Sequence, residues 1–181
     1  MPAGSEIPEK AVWFAHGKLG TPTGRKIQTL ATIAKTLGYH VESPDYTDLA
    51  DPDQRAERLL SLNPVARRVL VLVGSSMGSY QSVVVSDRVC PQGLFLLAPA
   101  VYLDSDYYDV KEPIAQADRI QVVHGWRDSV VPVGNAIRFA RTHKADLHVA
   151  DAGHRLLDAM PMIETLFHRF LLDLDQVAIA S

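Results

Sequence analysis

The sequence predicts an α/β fold in which helices cover both faces of a mostly parallel sheet of about six strands. Short apolar runs alternate along the chain with segments of helical length, and this alternation is typical of parallel sheets. The run at 69–73 is entirely apolar and mostly β-branched, which indicates a strand buried on both faces. Together these observations predict a three-layer α/β/α sandwich.

The individual elements follow from apolar spacing and from helix start and stop signals. Strands are expected at 11–15, 39–42 (an edge strand), 69–73, 93–98, 120–124 and 147–150. Helices are expected at 23–37, 52–62, 79–89, 132–143 and 155–172. Asp51 is the expected N-cap of the second helix, Gly38 ends the first, and Pro161 is expected to kink the last. The Asp- and Tyr-rich segment 99–119 has no periodicity and is expected to be a loop.

Composition narrows the class of protein. A length of 181 residues fits one domain, so a single domain is expected over 1–181, with frayed ends at 1–9 and 174–181. The net charge of −3 argues against nucleic acid or an anionic membrane as a partner. The N-terminus lacks an apolar signal core and no run could span a bilayer, so a soluble cytoplasmic protein is expected. The one cysteine, Cys90, cannot form an internal disulfide and is interpreted as structural.

The most informative motif is Gly74-Ser75-Ser76-Met77-Gly78, between the strand at 69–73 and the helix at 79–89. Strand, Gly-x-Ser-x-Gly turn and helix form the arrangement called a nucleophile elbow. The turn would hold Ser76 where a base can reach its hydroxyl, and tight packing requires small residues two before and two after it. The helix start would direct free N–H groups toward developing negative charge. The structural alternative is an ordinary Gly/Ser turn, and Ser75 is the rival nucleophile.

Two further candidate residues each follow a later strand of the predicted sheet. Because ligands bind at the carboxyl ends of parallel strands, Ser76, Asp128 and His154 are expected at one edge of the sheet. They occur along the chain in the order nucleophile, acid, base. Asp151 is a weaker candidate for the acid, and His148 is expected to pack within its strand. The sequence therefore predicts a Ser-Asp-His site.

These segments resemble a small member of the α/β-hydrolase superfamily. The matching pieces, spread over most of the chain, are His16-Gly17, the 74–78 elbow, His124-Gly125-x-x-Asp128-x-x-Val131-Pro132 and Gly153-His154. The superfamily core usually has eight strands, but little sequence precedes residue 11, and 99–119 is too short for a cap. The resemblance therefore implies a minimal α/β-hydrolase fold with about six strands, no cap domain and an open site.

The resemblance also implies a role for each residue. Ser76 would attack an acyl carbonyl, and His154 would accept the proton and later deliver it to the leaving group. Asp128 would hold the imidazole in the right tautomer. Backbone N–H groups of Met77 and Lys18 would form the oxyanion hole. No metal or other cofactor is implied.

The candidate substrate contacts are His16 and Gly17, beside the expected oxyanion hole, and Tyr102 from the Asp- and Tyr-rich loop. For His16, as for His124, hydrogen bonding to loop backbone is the alternative. The expected ligand is a small-molecule acyl substrate. The sequence does not indicate the oligomeric state.

The expected reaction is hydrolysis of a carboxylic ester through an acyl-enzyme on Ser76. The same residues would serve a thioesterase or an amidase or peptidase, and a non-catalytic binding protein on the same fold is a further alternative. A nucleotide-binding loop is disfavoured because 74–78 has neither a Gly-Lys-Ser/Thr ending nor Gly-x-Gly-x-x-Gly spacing.

Overall fold

A computed structural model describes residues 6–180, which form one six-stranded sheet flanked by five α-helices. The strands are β1 (Lys10–Ala15), β2 (His40–Glu42), β3 (Val69–Ser75), β4 (Gly93–Leu97), β5 (Arg119–Gly125) and β6 (Asp146–Ala150). The helices are α1 (Arg25–Thr36), α2 (Pro52–Ser61), α3 (Met77–Val89), α4 (Val133–His143) and α5 (Met160–Ala180), with a 3-10 turn at Leu157–Ala159. The strand order is β2-β1-β3-β4-β5-β6, and all five neighbouring pairs are parallel. The predicted fold class, a minimal α/β-hydrolase fold without a cap, is confirmed.

Each face of the sheet carries its own apolar core. Helices α1 and α5 cover one face, where Phe95 of β4 packs edge to face on Phe167 and Phe170 at centroid distances of 5.0 and 5.4 Å. Helices α2, α3 and α4 cover the other face, where Leu72 of β3 and Phe139 of α4 are fully buried. Strand β3 is therefore buried on both sides, as predicted, and its carboxyl end is held by packing from two layers.

Local chemistry sets the helix boundaries. The Asp51 side chain accepts hydrogen bonds from the N–H groups of Asp53 and Gln54 at 2.8 and 3.0 Å, which confirms it as the N-cap of α2. Gly38 has a φ of 80°, which only glycine adopts without strain, and it ends α1 as predicted. Residues 98–118 contain neither helix nor strand, as expected for this loop.

The start of the last helix differs from the prediction. We expected a helix from residue 155 with a kink at Pro161, but α5 begins at Met160. Pro161 therefore lies in the first turn, where its missing N–H would have had no intrahelical acceptor. For this reason the proline starts the helix and does not kink it.

The ends of the chain are more regular than predicted. We expected frayed ends at 1–9 and 174–181, but α5 continues to Ala180 because Leu174 is buried in the core on its face of the sheet. The carbonyl groups of residues 8 and 9 accept hydrogen bonds from the backbone that leads into β3. The prediction is therefore wrong at these positions, and residues 1–5 and 181 lie outside the described chain. No helix within the described chain has the length and apolarity needed to cross a membrane.

Candidate active site

Ser76 occupies the sharp turn between β3 and α3. Its φ of 55° and ψ of −116° lie outside the regions that side-chain-bearing residues usually adopt. The turn is held because Ser76 N donates to Leu97 O at 2.8 Å and Ser76 O accepts from Ser79 N at 2.9 Å. The hydroxyl group is thus fixed at the carboxyl edge of the sheet by the backbone around it.

The two flanking glycines have no room for a side chain. A Cβ atom on Gly74 would lie 2.4 Å from the Cα of Ser79, and one on Gly78 would lie 1.9 Å from the carbonyl oxygen of Ala15. Both contacts are to backbone atoms, which cannot move aside without displacing β1 or α3. The requirement for small residues around the elbow is therefore confirmed.

The structure brings Ser76, His154 and Asp128 together in one chain of hydrogen bonds. His154 Nε2 lies 2.9 Å from Ser76 Oγ, and His154 Nδ1 lies 2.7 Å from Asp128 Oδ2. An ionised carboxylate can only accept, so Nδ1 carries the proton and Nε2 is free to accept the hydroxyl proton. This arrangement can activate the serine as a nucleophile.

Asp128 is held as an ionised, oriented carboxylate. Its side chain is fully buried, and Oδ1 accepts hydrogen bonds from the N–H groups of Val130 and Val131 at 2.8 and 2.9 Å. Burial raises the pKa of this carboxyl, but the Val131 N–H, His154 and the Val130 N–H together outweigh burial, so the pKa lies below its usual value. The Asp128 carboxylate therefore stays charged beside His154 at neutral pH.

The rival residues are bonded elsewhere. Ser75 Oγ accepts a hydrogen bond from Lys26 Nζ at 2.9 Å and has no histidine partner among the described residues. Asp151 pairs with the exposed Arg127 at 2.5 Å. His148 lies within β6, in register with a residue of β5, as predicted. Only one serine, one acid and one histidine of the candidates are thus mutually bonded in the described chain.

The predicted oxyanion-hole residues, Met77 and Lys18, line the same cavity as Ser76. Met77 is the first residue of α3, so its N–H is one of the donors that a helix leaves without an intrahelical acceptor. Gly17 and Lys18 follow β1 and line the same cavity as Ser76. A Cβ atom on Gly17 would lie 3.4 Å from Ser76 Cβ, so this loop runs directly alongside the serine.

The side chain of His16 is not free to bind substrate, which corrects our prediction. Its ring is 2% exposed, Nε2 accepts from Tyr46 N at 3.0 Å, and Nδ1 lies 2.8 Å from Gly17 O. Burial lowers the pKa of His16, which keeps the ring neutral with its proton on Nδ1. His16 therefore fixes the loop after β1, which is the alternative that the sequence left open. His124 acts similarly, with Nε2 3.0 Å from Val131 O.

Arg55 of α2 also holds this loop, and the sequence analysis missed it. The side chain is 1% exposed; Nε donates to Leu49 O at 2.7 Å, and one terminal nitrogen lies 3.3 Å from His16 O and 3.4 Å from Gly17 O. The available signal was its position, since 52, 55, 56 and 59 form the buried face of α2. An arginine on the apolar face of a helix predicts a buried polar contact.

The site opens into a cavity of about 690 Å³ that Ser76 and His154 line. Tyr108 of the long loop lines this cavity, whereas Tyr102 does not. Tyr102 instead packs on Phe139 and beneath the guanidinium of Arg138, at 4.1 Å from its ring. The predicted substrate contact Tyr102 therefore lies outside the cavity that Ser76 lines, and Tyr108 is the tyrosine of this loop that lines it. No cluster of three or more potential metal ligands occurs within the described residues.

Solved structures similar to this chain share its fold. A Xanthomonas campestris protein described as a hydrolase of the alpha/beta superfamily is 32% identical, covers 92% of this chain and 99% of its own, and has a TM-score of 0.83. Est1E from Butyrivibrio proteoclasticus is 16% identical, with 96% and 90% coverage and a TM-score of 0.75. A second Xanthomonas campestris protein, described as an a/b serine hydrolase without lid, is 21% identical, with 91% and 84% coverage and a TM-score of 0.60. The sequence matches no protein-family model and no curated protein.

Proposed function

This chain belongs to the α/β-hydrolase superfamily, and on that premise we propose that it is a serine hydrolase that cleaves carboxylic esters through an acyl-enzyme on Ser76. The observation that carries the proposal is the hydrogen-bonded chain from Asp128 through His154 to Ser76. The similarity to hydrolases of this fold supports the reaction class. The cavity of about 690 Å³ is of the size that small-molecule ligands occupy, which supports a small acyl substrate.

Each residue has a defined step in the proposed mechanism. His154 Nε2 takes the proton from Ser76 Oγ as that oxygen attacks the carbonyl carbon, and Asp128 stabilises the resulting imidazolium. The N–H groups of Met77 and Lys18 donate to the oxyanion. His154 then gives its proton to the departing alcohol. In the second half, His154 deprotonates a water molecule, which attacks the acyl group and returns Ser76 to its free state.

The test is hydrolysis of p-nitrophenyl esters, from acetate to laurate, by the wild type, Ser76→Ala and Ser82→Ala. Ser82 is a matched control because it is a buried serine of α3 whose hydroxyl bonds back to Gly78 O at 2.8 Å. We expect Ser76→Ala to lose at least about a thousandfold in kcat with an unchanged Tm, and Ser82→Ala to keep its activity. Hydrolysis that survives in Ser76→Ala would place the nucleophile elsewhere.

The alternatives left open by the sequence have their own tests. Thioesters and anilides of the best acyl group would measure which bond the site prefers. A fluorophosphonate probe separates an enzyme from a binding protein, because only an activated serine reacts rapidly with it. We expect one adduct, on Ser76. If the folded protein forms no adduct, the binding protein is the better interpretation.

A further inference from the structure

The cavity beside Ser76 is lined by positive charge. Four cationic side chains line it, namely Lys18, Arg25, Lys26 and Arg155, and none of the described residues that line it carries a carboxylate. Within residues 6–180, none of the four forms an ion pair with Asp or Glu. The chain as a whole has a net charge of −3, so this local excess of positive charge runs against its average.

Lys26 is bonded to the residue that precedes the candidate nucleophile. Its Nζ donates to Ser75 Oγ at 2.9 Å, and Ser75 directly precedes Ser76. An ammonium group has three N–H donors, and Ser75 is its one hydrogen-bond acceptor in the described chain, which leaves two donors for a ligand. Burial, followed by the charge of Arg155, lowers the pKa of Lys26 to about 8. Near pH 7 the group is therefore still a cation, but one that lacks a compensating anion.

The start of α1 adds to the same field. Gly24 is the N-cap and supplies no side-chain acceptor, and the first turn contains no acidic residue. The free N–H groups of a helix N-terminus attract anions, and cations there are unfavourable. Yet Arg25 and Lys26 occupy this first turn, and 24–26 line the cavity. An anion bound between them would relieve this repulsion.

We propose that this cationic pocket, defined as 24–26 with Arg155, binds a carboxylate carried by the substrate next to the bond that Ser76 attacks. The inference rests on the proposed function and names its substrate class, esters with a carboxylate on the acyl or the alcohol part. The Lys26 ammonium keeps two free N–H donors, which can pair with the two oxygens of one carboxylate. Ile27, Leu30 and Leu157 line the same cavity and provide an apolar surface for a short carbon chain.

Direct binding tests the pocket without requiring catalysis. Calorimetric titration of the wild type with glutarate, and with neutral glutaramide as its match, should show glutarate binding at least about tenfold more tightly. Lys26→Met, which keeps the length of the side chain, should lose this difference. Lys35→Met is the matched control, because Lys35 is an exposed cation in the last turn of the same helix. Equal binding of the two ligands, or unchanged glutarate binding by Lys26→Met, would overturn the inference.

Turnover tests which part of the ester carries the charge. Comparing monomethyl glutarate with methyl valerate tests a carboxylate on the acyl side. Comparing 4-acetoxybutyrate with butyl acetate tests one on the alcohol side. We expect one pair to show a ratio of kcat/KM of about ten to a hundred in favour of the acid. This ratio should fall to about one in Lys26→Met and persist in Lys26→Arg and Lys35→Met. Tighter binding of methyl phosphate than of glutarate would contradict the assignment to a carboxylate.

The ratio should also depend on pH. Lys26 loses its charge as the pH rises through about 8, so the preference for the acid should decline there in the wild type. The other charged and titratable side chains that line the cavity come from α1, the loop after β1, the loop at 98–118 and the turn after β6. They are Arg25, His16, Lys18, Tyr108, His154 and Arg155. Because both esters of a pair share His154, taking the ratio removes its contribution. A ratio independent of pH between 7 and 9 would contradict the assignment to Lys26.

The outcomes separate this inference from the proposed function. Hydrolysis that depends on Ser76 but shows no preference for the acid in either pair would overturn the inference and leave the proposed function standing. Lys26-dependent binding of glutarate without hydrolysis of any ester would support the inference and overturn the proposed function. If Lys26→Met does not fold by circular dichroism, Arg155→Met replaces it, since this exposed side chain can be removed without opening the core; a severalfold loss of the preference is then expected, and no loss would contradict the pocket.

Discussion

The cations at the amino edge of the sheet and the cations that line the cavity at its carboxyl edge differ in their partners. At the amino edge, Lys10 at the start of β1 pairs with Asp175 of α5 at 2.8 Å, and Arg119 at the start of β5 pairs with Asp173 at 2.6 Å. At the carboxyl edge, Lys26 lines the cavity with no carboxylate partner in the described chain. The same strands build both edges, so the fold alone does not explain the difference. The ion pairs of Lys10 and Arg119 join α5 to the sheet. Lys26 has no carboxylate partner in the described chain, so its charge is available to a ligand.

The carboxylates at the two edges, Asp175 and Asp128, also differ in their partners. Asp175 receives Lys10 and the Tyr39 hydroxyl, so its contacts are between layers of the fold. Asp128 receives two backbone N–H groups and the imidazole of His154, and the buried His124 ring lies 3.3 Å from its Oδ2. Its contacts therefore lie within the candidate site. On the proposed function, the carboxyl edge serves catalysis and the amino edge serves stability. Substitutions at each edge can separate these two roles.

The largest expected effect comes from removing one carboxylate charge at each edge. Asp128→Asn should lower kcat by about 10⁴, because an amide in place of the carboxylate favours the wrong tautomer of His154. Asp175→Asn should leave kcat unchanged and lower the free energy of unfolding by about 1–3 kcal/mol, because Lys10 loses its charged partner. Ester hydrolysis and chemical denaturation of both variants measure the two effects.

Two results would contradict this division between the edges. A fall in kcat in Asp175→Asn would show that the amino edge is coupled to the site. If Asp151→Asn lowered kcat by orders of magnitude while Asp128→Asn did not, the acid would be misassigned. We expect Asp151→Asn to leave kcat unchanged, because the Asp151 carboxylate pairs with an exposed arginine at the surface.

The sequence predicted well those features that depend on local patterns. All six strands were found, most of them as short apolar runs bounded by turn residues, and α2 was placed by its Asp51 cap. Ser76, Asp128 and His154 were predicted to meet because parallel strands bring their carboxyl ends to one edge. In each case a pattern of a few residues determines the outcome.

The errors concern contacts between distant segments. The path of the loop at 98–118 decides that Tyr108 and not Tyr102 reaches the cavity, and no periodicity in that loop encodes its path. The bonding of both His16 nitrogens depends on Tyr46, thirty residues away along the chain. Lys26 was not singled out because it lies between apolar positions of an amphipathic helix, where a lysine is ordinarily solvated. Burial of a charge is a tertiary property that helical spacing alone does not reveal.

Arg55 provides the next test, because it is a buried cation at the carboxyl edge that does have partners. Arg55→Met should lower the free energy of unfolding by about 3 kcal/mol, since the carbonyl groups of Leu49, His16 and Gly17 lose their buried donor. It should also lower kcat more than it raises KM, because the loop beside Ser76 loosens. Arg58→Met is the matched control, one turn along α2, where the half-buried side chain pairs with Asp48 at 2.6 Å. It should cost less than about 1 kcal/mol and leave kcat unchanged. Equal effects of the two substitutions would show that burial of Arg55 has no role in the site.

The smallest expected effect is a change in the free energy of unfolding when one lysine is removed at each edge. The sign of this change should differ between the two edges. Lys10→Met should lower the free energy of unfolding by about 1–2 kcal/mol, because Asp175 and the carbonyl of Leu37 lose a donor. Lys26→Met should instead raise it by about 1 kcal/mol at pH 7, or roughly 2–4 °C in Tm, because it removes a half-buried charge that no carboxylate compensates. Thermal unfolding at matched protein concentration measures both.

The pH dependence of that gain identifies its cause. The pKa of Lys26 is about 8 in the folded protein and near its ordinary value of 10.5 when unfolded. Between these values the unfolded chain binds a proton that the native chain does not, so wild-type stability gains from this group as the pH rises. The difference in Tm between Lys26→Met and the wild type should therefore be constant below pH 8 and shrink above it. A difference that stayed constant to pH 10 would assign the gain to packing of the methionine. A destabilised Lys26→Met would mean that Lys26 is as firmly partnered as Lys10, and the contrast between the two edges would not hold.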